Sequence, residues 1–188
     1  MKFVVLTAPS GAGKTTIARR VLADEPRTRF SVSATTRAPR EREVHGRDYF
    51  FLSESDFRAR VEAGDFVEYE EVYPGRFYGT LRPEMERIAQ ETHGGAALLD
   101  LDVKGALHMK RLYGPAARTI FVAPPSLDAL AERLRKRGTE TEQMLATRLE
   151  RAELEIGYAD QFDHVVLNDD LERAVAETIG LVHAFLDG

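Results

Sequence analysis

The chain has 188 residues, 43% of them hydrophobic and 30% charged, which is enough for one globular domain with a substantial core. Its formal net charge of −5 argues against broad binding to nucleic acid or to an anionic membrane, because those surfaces attract basic proteins. The absence of cysteine excludes disulfides and thiolate metal sites, and the short apolar run after Met1 is neither a signal peptide nor a membrane span. We therefore expect a cytoplasmic protein with no nucleic-acid or membrane partner.

Short apolar runs alternate with amphipathic stretches along the chain. Runs typical of buried strands occur at 3–6, 98–101, 119–123 and 165–167. Apolar residues at spacings of three and four after Leu127, and again from Leu171 to the carboxyl end, predict amphipathic helices. Strands separated by helices predict an α/β fold with a mostly parallel sheet flanked by helices.

The first strand leads directly into a glycine-rich segment, which is the most specific local motif of the chain. It consists of Ala8, Pro9, Ser10, Gly11, Ala12, Gly13, Lys14, Thr15 and Thr16. Glycines let backbone N–H groups close around an anion, and the helix that follows adds unpaired amides and the positive end of its dipole. Lys14 can reach the outer phosphates of a nucleoside triphosphate, and the Thr15 hydroxyl can bind Mg²⁺. The order of strand, loop and helix favours a phosphate-binding loop (P-loop) over a chance glycine-rich turn.

One position departs from the usual G-x-x-x-x-G-K-[ST] pattern, which has glycine where this chain has Ala8. Alanine fits at little cost if the backbone there has a negative φ, whereas a positive φ would strain the loop. The motif therefore leaves the conformation at Ala8 open.

Residues 31–81 break the alternation, because they are dense in Arg, Tyr, Ser, Thr and Gly and contain only short strand-like pieces. Arg37 and Arg40 lie three residues apart around a proline, and their planar forks suit the three oxygens of a phosphate monoester. Tyr49 and Tyr78 lie close to glycines and can donate hydroxyl hydrogen bonds to the same phosphate. Each tyrosine taken singly is more typical of half-buried packing. Together with the arginines they predict a small mixed insertion that holds a monophosphate.

The second half of the chain adds further charged candidates. Asp100 ends an apolar run, so a strand would deliver its carboxylate to the carboxyl edge of the sheet, where it could hold Mg²⁺ or its bound waters. Asp102 follows two residues later and would face the same way if the strand continued. Residues 135–148 are strongly charged and broken by glycine, which suits either a mobile flap or ordinary solvated helix ends.

These motifs together resemble the guanylate kinase family over essentially the whole chain. The resemblance is carried by Pro9-Ser10-Gly11-Ala12-Gly13-Lys14-Thr15-Thr16, Phe30-Ser31-Val32-Ser33-Ala34-Thr35-Thr36-Arg37, Gly46-Arg47-Asp48-Tyr49, Phe77-Tyr78-Gly79-Thr80, Asp100-Leu101-Asp102, Arg137-Gly138-Thr139-Glu140 and Asn168-Asp169-Asp170. It implies one domain, 1–188, with a P-loop core at 1–30, 82–123 and 158–188. The remaining parts would be an acceptor-binding insertion at 31–81 and a lid at 124–157. It also implies transfer of the γ-phosphoryl group of ATP to GMP or dGMP with Mg²⁺, in purine nucleotide metabolism, and carries no signal for an oligomeric state.

The resemblance also implies roles for individual residues. It puts the acceptor phosphate on Arg37, Arg40, Tyr49 and Tyr78. It puts the guanine base among Ser33, Glu68, Thr80 and Asp102, and it puts Asp100 beside the acceptor nucleotide. It assigns Thr15 and Asp100 to the metal ion. It makes the catalytic, charge-neutralising set Lys14, Arg37, Arg133, Arg137 and Arg148. It adds Arg133, Arg137 and Asn168 to the P-loop as the ATP site.

The chemistry of guanine agrees with the role implied for Glu68. The N1–H and N2–H₂ groups of guanine form a paired donor edge, and an ionised carboxylate accepts with both oxygens. Adenine has an acceptor at N1, so a buried carboxylate facing it would be left unpaired. The hydroxyls of Ser33 and Thr80 can donate to O6 or N7. Glu68 alone, close to Glu70 and Glu71, is more typical of an exposed acid, and its place in the matched segment favours the guanine site.

The insertion departs from the family pattern at two points. The interval from Glu68 to Tyr78 is one residue longer, through Tyr73-Pro74-Gly75, and Phe77 stands where a second tyrosine is common. Loop insertions are tolerated, so neither changes the interpretation.

Two rival functions stay open. A non-catalytic peptide-binding module is opposed by the intact Gly13-Lys14-Thr15 and by the arginine set. A P-loop kinase that acts on a phosphorylated sugar is opposed by Glu68 with Ser33 and Thr80.

Overall fold

The computed structural model describes residues 1–136 and 142–188, so the predicted lid residue Arg137 lies outside the described residues. The described strands are β1 (Lys2–Thr7), β2 (Thr28–Phe30), β3 (Ala34–Thr35), β4 (Phe50–Phe51), β5 (Phe66–Tyr73), β6 (Arg76–Leu81), β7 (Ala96–Asp100), β8 (Ala117–Ala123) and β9 (His164–Leu167). The described helices are α1 (Lys14–Asp24), α2 (Glu54–Glu62), α3 (Arg82–Thr92), α4 (Val103–Tyr113), α5 (Leu127–Lys136), α6 (Glu142–Ile156) and α7 (Leu171–Asp187).

Five strands form the main sheet in the order β2-β7-β1-β8-β9, and every neighbouring pair in it is parallel. Because side chains alternate along a strand, β1 feeds two cores. Val4 and Leu6 pack with α1, α5, α6 and α7 on one face, whereas Phe3 and Val5 pack with α3 and α4 on the other. A sheet covered on both faces explains the unbroken apolar run of β1. The predicted α/β fold with a mostly parallel sheet and flanking helices is confirmed.

A second, smaller sheet lies within residues 31–81. Its order is β4-β3-β6-β5, with one parallel pair and two antiparallel pairs. Its own core is small, and the rings of Phe57 and Phe66 stack there at 4.4 Å between centroids. The helix α2 begins at a Ser53 cap, whose hydroxyl accepts from the Asp56 amide. This sheet therefore carries its residues on a scaffold separate from the main core.

The strand that carries Asp100 ends at that residue. Two residues later the Asp102 side chain accepts a 2.8 Å hydrogen bond from the Gly105 amide and caps α4. The condition under which the two aspartates would face the same way is therefore not met, because β7 ends between them. Within residues 1–136 and 142–188, no helix is both long and apolar enough to cross a bilayer.

Candidate active site

The P-loop has the backbone of an anion site. Gly11 and Gly13 both have a φ of 99°, a conformation that favours glycine. The helix α1 starts immediately afterwards without a side-chain cap, so its first amides face the loop. Among the described non-glycine residues a positive φ occurs at His93 alone, so Ala8 has a negative φ. Alanine therefore replaces the usual glycine there without strain, and it packs into the core.

Lys14 joins the loop to the edge of the main sheet. Its ammonium group forms an ion pair with Asp100 and donates a 3.0 Å hydrogen bond to the carbonyl of Leu101. Thr15, the next residue, is exposed at the start of α1. The lysine and the threonine both line the cleft beside the P-loop.

Asn168 supports the P-loop from behind. Its buried side-chain amide donates a 2.6 Å hydrogen bond to the carbonyl of Ala12, and a Cβ on Gly13 would lie 2.3 Å from the same nitrogen. Arg133 in turn donates to the carbonyl of Asn168 at 2.8 Å. In this conformation both residues brace the loop, so their predicted contacts with ATP stay predictions.

Arg37 and Arg40, which are predicted to bind the acceptor phosphate, are held in place by Glu43, a residue that the sequence did not single out. Glu43 binds Arg37 through two hydrogen bonds of 2.8 and 2.9 Å, and it also accepts from the backbone amide of Arg40 at 2.8 Å. This contact lowers the pKa of Glu43 and raises that of Arg37. The pair fixes the turn that carries both guanidinium groups.

Two tyrosines complete the same wall of the cleft. The rings of Tyr49 and Tyr78 meet edge to face at 6.0 Å, and the Arg37 guanidinium lies over the Tyr49 ring at 5.3 Å. Burial, reinforced by the charge of Asp100, raises the pKa of Tyr49 to about 12. Tyr49 is therefore protonated at neutral pH and can act as a hydrogen-bond donor.

Glu68 is buried, with only 5% of its surface exposed. Burial raises its pKa to about 7, and the nearby charge of Asp102 adds to the shift, while a 2.6 Å hydrogen bond from the Thr80 hydroxyl opposes it. A Cβ on Gly105 would lie 3.0 Å from Glu68 Oε2, so the glycine lets the start of α4 approach the carboxylate closely. Because the Thr80 hydroxyl already donates its hydrogen bond to Glu68, the predicted contact of Thr80 with guanine stays a prediction.

One cleft of about 340 Å³ brings most of these groups together, a volume suited to a small-molecule ligand. The predicted site residues that line it are Ala8, Pro9, Ser10, Gly11, Gly13, Lys14, Thr15, Thr16, Ser33, Arg40, Tyr49, Glu68, Tyr78, Asp100, Asp102 and Arg148. Arg148 reaches it from α6 and donates to the Ser10 hydroxyl at 3.0 Å. The predicted residues that lie behind these walls are Ala12, Arg37, Thr80, Arg133 and Asn168.

Three residues with a part in the site were missed by the sequence reasoning. Glu43 is one, and the others are Arg151 and Glu155, which line the cleft from α6. A signal was present for each. Glu43 follows Arg40 at a spacing of three, and Arg148, Arg151 and Glu155 follow the spacings of three and four that share one face of a helix.

A P-loop at the carboxyl edge of a parallel sheet, opposite a wall of arginine, tyrosine and a buried carboxylate, is the architecture of a P-loop kinase. The arginine and tyrosine side chains of the second wall suit an anionic acceptor.

The chain belongs to the guanylate kinase family. The family model described as guanylate kinase matches residues 1–184. The guanylate kinase of Salinibacter ruber is 60% identical over 97% of this chain and 96% of its own length, and that of Chlorobium luteolum is 52% identical over 98% and 92%. The crystal structure of guanylate kinase from Anaplasma phagocytophilum superposes with a TM-score of 0.77, at 30% identity, over 97% of this chain and 85% of that chain. The predicted family and its nucleoside monophosphate kinase activity are thereby confirmed.

Proposed function

We propose that the protein transfers the γ-phosphoryl group of ATP to the phosphate of GMP within this cleft, giving ADP and GDP. The observation that carries the proposal is the meeting of two unlike anion sites in one cavity. Lys14 and the P-loop form one wall, and Arg40, Tyr49 and Tyr78 form the other. The residues assigned to the acceptor address its base and its phosphate, so we extend the proposal to dGMP. The predicted cytoplasmic location belongs with this proposal.

The phosphates of ATP would occupy the P-loop, where glycine geometry and the start of α1 supply amide donors. The Thr15 hydroxyl and the Asp100 carboxylate both line the cleft and are oxygen donors that suit Mg²⁺. Mg²⁺ commonly takes one or two protein oxygens and completes its shell with phosphates and water, so this small donor set fits. When bound, the metal supplies charge neutralisation at the transferring phosphate. Lys14 would exchange its contact with Asp100 for the β- and γ-phosphates.

The acceptor phosphate would lie against Arg40, Tyr49 and Tyr78. Arg37 would complete the cradle from its position over the Tyr49 ring, where Glu43 holds it. The hydroxyl of Tyr49 remains a donor throughout the neutral pH range because its pKa is raised to about 12. These groups aim one acceptor oxygen at the γ-phosphorus, and orientation is the main requirement of this reaction.

Selection of guanine would rest on Glu68. In its ionised form the carboxylate accepts from N1–H and N2–H₂ together, and the Thr80 hydrogen bond fixes its rotation. Ser33, which is buried and lines the same end of the cleft, would donate to O6 or N7. Asp102 lines the same cleft and would border the base.

Transfer itself would be an in-line displacement that needs no general base, because the acceptor phosphate is already largely ionised at neutral pH. Lys14 and Arg148 would neutralise charge that develops on the transferring group. The predicted contributions of Arg133 and Arg137 belong to the same set. Closure of the lid over ATP would exclude water and suppress hydrolysis.

Acceptor profiling with magnesium ATP tests the proposal. ADP release would be measured with GMP, dGMP, AMP, UMP, a sugar phosphate and no acceptor. We expect rapid release with GMP and dGMP, and values of kcat/KM at least about 100-fold lower with the others. Release confined to the sugar phosphate would assign a different acceptor, and nucleotide binding without any turnover would indicate a binding module.

A further inference from the structure

Arg151 joins three separate parts of the cleft through one guanidinium group. It lies on α6, donates from Nη1 to the backbone carbonyl of Val72 on β5 at 2.9 Å, and donates from Nε to Glu155 at 2.7 Å. Its Nη2 atom lies 3.8 Å from the second oxygen of Asp102, whose first oxygen caps α4. Strand β5 of the smaller sheet, helix α6 and the start of α4 therefore meet at this side chain.

The Val72 carbonyl on β5 is available to accept the hydrogen bond from Arg151 because the strand is irregular there. The register of the β5–β6 pairing shifts between Glu71 and Tyr73, so that Val72 faces no residue of β6. The Glu71 carboxylate accepts from the Gly75 amide at 2.7 Å and holds the turn of the hairpin. The irregularity lies in the interval that the resemblance predicts to be one residue longer than the family pattern. The Val72 carbonyl there accepts from Arg151 on α6.

The same face of α6 also reaches the ATP side of the cleft. Arg148 precedes Arg151 by one helical turn and donates to Ser10 of the P-loop at 3.0 Å. A single rigid helix therefore contacts the P-loop at one arginine and the strand that carries Glu68 at the other. A shift of the acceptor sheet that moves Val72 must alter the position of Arg148, or break the Arg151 contact.

Arg151 also forms a partition. It lines the main cleft together with Val72, Asp102 and Glu155, and the same four residues line a neighbouring groove of about 310 Å³ whose outer wall includes Leu154. The Arg151 side chain is 28% exposed and lines both cavities. Its position suits transmission between elements of the site, because from α6 it contacts Val72 on β5 and approaches Asp102 at the start of α4.

From this geometry we infer that Arg151 is a positioning residue that couples binding of the acceptor nucleotide to placement of Arg148 at the transferring phosphate. The inference rests on the proposed function and adds to it a named route between the two nucleotide sites. Binding of a guanine nucleotide at Glu68 draws in β5, the Val72 carbonyl carries α6 with it through Arg151, and Arg148 is brought to its working position. The two nucleotides then favour one another's binding.

The test is the coupling factor, which is the ratio of dissociation constants for a non-hydrolysable ATP analogue without and with saturating GMP. It would be measured by calorimetry with magnesium for the wild type, Arg151→Ala and Arg151→Lys. The lysine variant keeps the charge but lacks the fork that serves Val72 and Glu155 together. We expect a wild-type factor above about five, a fall to near one in both variants, and binding of each nucleotide alone within about threefold of wild type.

Arg20→Ala is the matched control, because Arg20 links α1 to α7 through Glu172 on the surface and is not one of the described residues that line the cleft. We expect it to keep the wild-type factor. Should Arg151→Ala fail to fold, the lysine variant decides. An unchanged factor in a folded Arg151 variant, or a wild-type factor of one, overturns the inference. A wild-type protein that binds ATP but never phosphorylates GMP would instead overturn the proposed function.

Discussion

The two walls of the cleft are built by different means. The P-loop wall is made from one continuous segment, and its anion site consists largely of backbone amides shaped by Gly11 and Gly13. It follows β1, the central strand of the parallel sheet, which is buried on both faces. The acceptor wall is made from side chains on several short strands and turns, with only a small core behind them. Its key groups are held by other side chains, as Glu43 holds Arg37 and Thr80 holds Glu68.

This difference separates two kinds of sensitivity. A backbone-built site tolerates side-chain changes such as alanine at position 8 but depends on the conformations that glycine allows. A side-chain-built site depends on second residues that touch no ligand. Mutations should therefore act through backbone strain or loss of charge on the first wall, and through orientation and protonation on the second.

The largest effect is expected at the cation of the P-loop wall. Lys14→Ala should lower kcat by about 100- to 1,000-fold, because the charge facing the outer phosphates is lost, while the fold is retained. Steady-state kinetics and circular dichroism would measure this. Lys104→Ala, at an exposed position of α4, should leave kcat unchanged. Turnover of Lys14→Ala at the wild-type rate would remove the proposed phosphate site.

Backbone dependence is tested at Gly13. Gly13→Ala should lower the free energy of unfolding by about 2–4 kcal/mol, because the residue has a φ of 99° and the new Cβ would lie 2.3 Å from Asn168 Nδ2. Gly180→Ala is the opposite case, with open space around a Cβ inside α7, and should raise the same quantity by about 0.5–1 kcal/mol. Denaturant unfolding would measure both. Equal effects of one sign would contradict the assigned backbone role.

Glu68→Gln examines the acceptor wall. The amide cannot accept both guanine donors, so kcat/KM for GMP should fall by about 1–3 kcal/mol while ATP affinity stays nearly unchanged. Glu62→Gln, at the exposed end of α2, provides a control of the same chemistry. An equal loss for both nucleotides would argue against a role in base selection.

The raised pKa of Glu68, about 7, gives the acceptor wall a pH dependence. Only the ionised carboxylate accepts both guanine donors, so GMP affinity should fall about tenfold from pH 8 to pH 6 as the free protein takes up a proton there. In calorimetry at pH 6.5, GMP binding should release a proton from Glu68. The GMP phosphate contributes equally in Glu68→Gln, so the difference between the two proteins isolates the carboxyl. Identical proton release in both would contradict the assignment.

The same shift affects folding in a definite direction. A carboxyl whose pKa is higher in the folded than in the unfolded protein binds more protons when folded. The contribution of Glu68 to the free energy of unfolding should therefore decrease as pH rises from about 4.5 to about 7. Comparison of wild type with Glu68→Gln across that window would reveal it.

The smallest effect is expected at the support behind the phosphate cradle. Glu43→Gln should raise KM for GMP by about fivefold, roughly 1 kcal/mol, with little change in kcat, because Arg37 loses its two charged hydrogen bonds. Glu41→Gln, exposed in the same turn, should behave as wild type. A change in ATP affinity without a change in KM for GMP would contradict the assignment of Glu43 to the acceptor-phosphate site.

The α/β architecture, the P-loop and the kinase activity could be predicted from the amino-acid sequence, because each is encoded in a contiguous pattern. Buried strands read as apolar runs, and a phosphate loop must keep its glycines and its lysine in order. The density of Arg, Tyr, Ser, Thr and Gly in residues 31–81 likewise predicts an anion-binding insertion, and its ligand contacts stay a prediction. Ligand chemistry of this kind is local, so it can be recognised before any contact is known.

Tertiary structure alone decided which partners those groups have. Asp100 and Asp102 are two residues apart, yet the end of β7 sends one to Lys14 and the other to cap α4. The contacts of Arg151 with Val72 and of Asn168 with Ala12 join residues 79 and 156 positions apart in the chain. Such pairs depend on how separate elements pack and on where a strand breaks its register, and no local pattern carries that information.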